Sequence, residues 1–179
     1  MNNNDILIRL RFALKISNEN LVKIFAFGGL QVTEKQLDLI FTKQAPETKR
    51  DEHLSMHDLE AFMNGLIISQ RGVKKDTAGQ PLPSTFDMTS EATINNVVIK
   101  KLKIAMSYTS DDLLSFLASA KIEISPNELS AVLRNPSHRN YKPAGDRYLR
   151  NILKGMAMQY RPDDIKPAKP IVIKSVTRK

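Results

Sequence analysis

The chain carries one unit written twice. Asn4-Asp5-Ile6-Leu7-Ile8-Arg9-Leu10-Arg11-Phe12-Ala13-Leu14 returns as Asn96-Val97-Val98-Ile99-Lys100-Lys101-Leu102-Lys103-Ile104-Ala105-Met106, and the match runs on before resuming past a two-residue slip. A repeat of this length means that one supersecondary unit serves twice, so both copies must satisfy the same packing. In each copy the large apolar residues recur at helical spacing. The unit is helical.

Four helices fit each copy. Asn4 reads as the N-cap of the first, with Ile6, Leu7, Leu10, Ala13 and Leu14 forming its apolar stripe. Ser17 to Asn20 interrupts with cap-forming residues, and Leu21, Ile24 and Phe25 open a second helix that Gly28-Gly29 ends. Thr33 and Gln36 spell a capping box for the third, with Val32 and Leu37 placed as a hydrophobic staple. The second copy spells the same start with Ser125, Pro126 at the first helical position, and Glu128 closing the box. Polar loops, 43–54 and 135–143, lead to a fourth helix carrying Leu59, Phe62, Met63 and Leu66 in one copy and Leu149, Ile152, Leu153 and Met156 in the other. Gly65 and Gly155 fall at the same place in that helix. A helical glycine costs roughly 1 kcal/mol against alanine, so its use twice points to close helix contact there.

The expected architecture is all-α: about eight helices in two tandem four-helix repeats, 1–72 and 94–161. A Pro/Ser/Gly linker, 73–93, joins them, and a flexible basic Lys/Pro tail, 162–179, follows. Pro162, Pro167 and Pro170 forbid a continued helix there, while Ile171-Val172-Ile173 is free to add a strand or dock in a groove. Halves of about 70 residues sit near the lower limit for a self-sufficient core, so the repeats should pack on each other with pseudo-twofold symmetry.

The paired motifs Asn4-Asp5-Ile6-Leu7 with Arg9-Leu10-Arg11, Asn95-Asn96 with Lys100-Lys101-Leu102-Lys103, and Pro136-Ser137-His138-Arg139-Asn140-Tyr141 leading to Gly145-Asp146 and Leu153-Lys154-Gly155 resemble the YehS-like family. These are small duplicated bacterial proteins catalogued as a domain of unknown function. The resemblance covers residues 3–161 and implies a bacterial, cytoplasmic, two-repeat protein. It implies no activity and carries no functional residue over to this chain.

Several kinds of chemistry are absent from the residues themselves. Cysteine is missing, which excludes disulfides, thiolate metal sites and cysteine nucleophiles. No apolar stretch reaches the roughly 18 residues of a membrane span, and the start of the chain lacks signal-peptide character, so a cytoplasmic location and no membrane partner are expected. Gly28-Gly29 follows a helix rather than a strand and belongs to no phosphate-binding fingerprint. His53 and His57 are four apart beside Asp51, Glu52 and Asp58, but a cap at Ser55 would put His53 outside the helix and divide the pair. The remaining histidine, His138, has no nucleophile context, and Asp111-Asp112 is explained by a helix start. No catalytic residue, metal site or cofactor is therefore expected, and the chain reads as a non-enzyme.

Charge is where the copies part. Residues 1–72 hold nine cations and nine acids, whereas 94–161 hold eleven and five, and the tail adds five against two. In the second copy Arg134, His138, Arg139, Tyr141 and Lys142 interleave charge with an aromatic, which suits phosphate contact and base stacking. Arg147, Arg150 and Lys154 then share one helix face, where the first copy has His57, Glu60 and Asn64. Lys100, Lys101 and Lys103 would extend that surface. A helix-turn-helix use of the Ser119–Glu123 connection would offer Asn127, Glu128 and Ser130 to a groove, with little positive charge. The expected function is binding of an anionic macromolecule, DNA or RNA first and an acidic protein as the alternative. Tyr141 separates the two: open beside the stripe it favours nucleic acid, and buried it favours a peptide or no ligand.

Overall fold

The computed structural model describes residues 1–165 and is helical throughout apart from loops and one isolated bridge between Lys75 and Pro81. The expected strand or docking segment at Ile171-Val172-Ile173, and the tail's flexibility, lie outside the described residues. The first repeat supplies α1 (Asn3–Leu14), α2 (Asn18–Phe27), α3 (Glu34–Phe41) and α4 (Met56–Arg71). The second supplies α5 (Glu91–Ala105), α6 (Ser110–Ser119), α7 (Pro126–Leu133) and α8 (Asp146–Tyr160), followed by a 3-10 turn at Pro162–Asp164. Among the described residues no helix is long and apolar enough to cross a membrane.

Within each repeat the second and fourth helices pair, α2 with α4 and α6 with α8. Between repeats the first helix of one lies on the fourth helix of the other, α1 on α8 and α5 on α4. Exchanging the repeats turns these principal pairs into one another. One continuous apolar core results, fed by Leu7 and Leu10 from α1, Phe25 from α2, Phe62 from α4, Leu102 from α5 and Leu149 from α8. Both repeats contribute to it.

The paired glycines mark where the fourth helices touch their neighbours. A Cβ on Gly65 would lie 1.8 Å from the Ile24 carbonyl oxygen, and one on Gly155 would lie 1.8 Å from that of Phe116. Ile24 and Phe116 correspond in the repeat, so the same backbone approach is built twice. Any side chain at either glycine would force the helices apart.

Caps depart from expectation at two points. The N-cap of α1 is Asn2, whose side chain forms a capping box with Asp5, so Asn4 lies inside the helix and is buried. It instead donates to the Ile40 carbonyl at 3.1 Å, while Asn3 donates to that of Leu54 at 2.9 Å. Asn95 and Asn96 repeat these bonds onto Ala144 and Val132. A pair of buried amides thus ties each first helix to its own third helix and the loop that follows. At α7, Ser125 caps Glu128 N–H, but the Glu128 carboxylate does not close the box. It accepts from Lys142 Nζ at 3.0 Å and Tyr148 Oη at 2.9 Å, and these bonds hold its pKa below the usual range.

The repeats are also joined where α8 begins. Asp146 accepts from the Met1 ammonium, from Arg50 Nη1 at 3.2 Å and from Asn95 Nδ2 at 2.9 Å. Partial burial alone would raise this carboxyl, but the ammonium, Asn95 and Arg50 outweigh burial and bring it down to about 2.

Candidate functional site

The two inter-repeat seams are built alike and furnished differently. In the α4/α5 seam Lys101 points inward, correcting the expectation that it extends the basic surface. Its Nζ lies 2.8 Å from Glu60 Oε1 and donates to Asn64 Oδ1 and to the Thr85 carbonyl, both at 2.6 Å. Asn64 Nδ2 donates to the same carbonyl at 3.0 Å, and the two Glu60 oxygens accept the N–H groups of Asp87 and Met88 at 2.7 and 2.8 Å. The linker stretch from Thr85 to Met88 is thereby laid into the seam and held by its backbone. The linker is a strap here, not a loose tether.

The α1/α8 seam presents the matching positions. By the register that lays Asn96 on Asn4, Lys101 falls on Arg9; by the one that lays Gly155 on Gly65, Glu60 and Asn64 fall on Arg150 and Lys154. All three are exposed, and none forms an ion pair with a described residue. Farther along this seam Arg161 Nη1 donates to the Phe12 carbonyl at 3.0 Å, with its guanidinium 4.2 Å above the Phe12 ring. The arrangement has changed from acceptor, amide and buried ammonium to three cationic donors. Arg9 was not legible as a site residue, because it sits in the half with zero net charge. Only its register against Lys101 marks it.

The other sequence-predicted site residues separate into three settings. Arg147 is exposed on the α8 face with Arg150 and Lys154, and Arg139 and His138 are exposed in the preceding loop, where His138 Nδ1 accepts from Asn140 N–H at 3.1 Å. Lys142 is spoken for by the Glu128 carboxylate and lies 5.9 Å above the Tyr148 ring, and its ammonium is held more firmly protonated. Arg134 and Tyr141 turn instead into a separate groove beside the linker. Tyr141 is half-buried, its hydroxyl has no partner among the described residues, and burial raises its pKa. It does not stand open beside the α8 stripe.

The remaining titratable groups singled out in the sequence lie apart from this seam. His53 lies outside α4 with a left-handed φ of 62°, while His57 is in its first turn and stacks on Phe86. Among the described residues no three His, Asp or Glu side chains converge as metal ligands. The Asp111-Asp112 pair opens α6, where Asp112 completes a capping box with Thr109.

A family profile described as "Protein of unknown function (DUF1456)" matches twice, over residues 3–72 and 95–161. The "Uncharacterized protein YehS" of Escherichia coli (strain K12) is 36% identical over 158 residues, covering 88% of this chain and 95% of that protein. No solved structure matches.

Proposed function

The chain belongs to the DUF1456 family of proteins of unknown function, and from that premise we propose that it is a non-catalytic cytoplasmic protein that binds nucleic acid along the α1/α8 face. The carrying observation is the replacement of Lys101, Glu60 and Asn64 by Arg9, Arg150 and Lys154 at equivalent seam positions. In the strapped seam, Glu60 accepts two peptide N–H groups. Arg150 cannot accept, so a peptide backbone loses that mode of attachment. Three donors carrying three charges call for an occupant that offers only negatively charged acceptors at close intervals. A phosphodiester backbone does so. Arg147 and Arg139 widen the cationic surface, and base stacking on Tyr141 is not part of it.

The alternative is an acidic protein segment, whose carboxylates would meet the same arginine forks. The half-burial of Tyr141 favours it.

Fluorescence anisotropy with labelled single- and double-stranded DNA and RNA, titrated across salt, tests the proposal. Four seam-face cations, Arg9, Arg147, Arg150 and Lys154, should give a slope of log K against log salt of about −3 for a single strand. Changing Arg147, Arg150 and Lys154 together to alanine should abolish binding while stability moves by less than about 1 kcal/mol. Absence of binding at low salt overturns nucleic acid as the ligand, and capture of an acidic partner that the triple variant loses would establish the alternative.

A further inference from the structure

The groove that takes Arg134 and Tyr141 is chemically unlike the α8 face. It encloses about 1060 Å³, at the upper end of the roughly 300–1,000 Å³ typical of small-molecule sites. Its floor is α5 from Thr93 to Ile104. One wall is the end of α4 with the linker that follows, and the opposite wall is the end of α7 with the loop after it.

Among uncharged polar residues such as Ser84, Asn135 and Ser137, two further groups of side chain line this space. Val73, Leu82, Phe86 and Ile104 are 47, 38, 45 and 42% exposed, and all four face the groove. Large apolar residues left open in one place mark a binding surface more than scattered ones do. Around them stand Arg71, Lys74, Lys100 and Arg134. None of these four forms an ion pair with a described residue. Asp87, the one carboxylate among the described residues of the lining, already accepts from Thr85 Oγ1 at 2.8 Å. Lys101 contributes no free charge, because Glu60 neutralises it below the strap.

Apolar walls with uncompensated cations ask for both properties in one ligand. An uncharged chain would cover the walls and leave the cations without a counter-charge. A simple inorganic anion would satisfy the cations and leave the walls wet. We propose that this groove binds an amphiphilic anion, an alkyl chain ended by a carboxylate or phosphate, taken up as a single molecule from solution. The chain lies against Val73, Leu82, Phe86 and Ile104, and the acid group meets Lys100 and Arg134. This site is independent of the α1/α8 face and shares no residue with it.

Isothermal titration calorimetry of the full chain tests it, with dodecanoate and dodecyl phosphate kept below micelle formation, and with dodecanol and anionic phosphatidylglycerol vesicles in parallel. Saturable one-to-one binding is expected for both acids, with dodecanol weaker by at least about tenfold. Lys100→Glu with Arg134→Glu should weaken dodecanoate binding about tenfold or more, and Ile104→Trp should block it by filling the groove. Lys35→Glu, on the exposed surface of α3, should leave it intact. Non-saturating heats, equal binding of dodecanol, or binding to vesicles without binding of the monomeric acids would overturn the proposal. The ligand series is measured on the unaltered chain, so its outcome decides the matter even if a variant fails to fold.

Discussion

Lys101 Nζ lies 2.8 Å from Glu60 Oε1, with only 6% and 1% of the two side chains exposed, and this pair joins the repeats beneath the linker. Removing one member strands the other charge in the core, which is worth about 3–5 kcal/mol of lost stability. Lys101→Met and Glu60→Gln should each fall in or near that range by urea denaturation. Replacing both by apolar residues should recover part of the loss. Hydrogen exchange at Asp87 and Met88 supplies a second readout, since their amides donate to Glu60 and should exchange faster once the carboxylate is gone. Unchanged exchange in Glu60→Gln would mean that the strap is held by something else.

The corresponding asparagines should not be equivalent. Asn96 donates to the Val132 and Lys142 carbonyls at 2.8 and 2.9 Å and accepts from Ala144 N–H at 2.8 Å, whereas Asn4 makes a single bond to Ile40 and leaves its own oxygen unpartnered among the described residues. Each buried group left without a partner costs about 1–3 kcal/mol. Asn96→Ala should therefore destabilise by at least about 1 kcal/mol more than Asn4→Ala in thermal or urea unfolding. Equal losses would contradict it.

Helix starts were legible because caps are local chemistry. Ser17, Thr33, Ser55 and Ser125 each accept the expected backbone N–H within three residues. Gly65 and Gly155 were legible because the repeat showed the same exception twice. What escaped was set by partners far along the chain. Lys101 sits in a Lys-Lys-Leu-Lys run that reads as a solvated face, and only Glu60 in another repeat explains its burial. Asn4 follows Asn2 and Asn3, any of which suits a cap, and the choice depends on Ile40 and Leu54 as distant acceptors. The Glu128 box failed because Lys142 and Tyr148 offer its carboxylate stronger donors than the Ser125 amide.

Asp146 predicts the acid side of the stability curve. Its folded pKa, about 2, lies below the ordinary 3.8. A depressed carboxylate contributes stability fully above the unfolded value and loses it as pH falls through the folded one. The window is thus from about pH 4 down to about pH 2. The side chain is one-third exposed, so solvent screening reduces the effect. Asp146→Asn should be less stable than the parent at pH 6, and the difference should shrink by pH 2 when unfolding is followed by circular dichroism. A difference that stays constant across that range would assign the loss to packing rather than to charge.

Exchanging the furnishings of the two seams separates charge from shape. Arg150→Glu with Lys154→Asn and Arg9→Lys gives the α1/α8 seam the side chains that the α4/α5 seam uses, on helices that pack in the corresponding way. Packing should tolerate the change, because all three positions are exposed. The unfolding midpoint should shift little. Nucleic-acid binding should vanish, since the face loses two positive charges and gains a negative one, and the carboxylate repels phosphate where Arg150 would have neutralised it. The single Arg9→Ala variant carries the finer point. If the ligand crosses the seam, its loss should lower the salt slope by about 0.7, as the loss of one phosphate contact on a single strand requires. If the ligand stays on α8 alone, Arg9→Ala binds with an unchanged slope while Arg150→Ala does not, and the footprint narrows to the outer face of one helix.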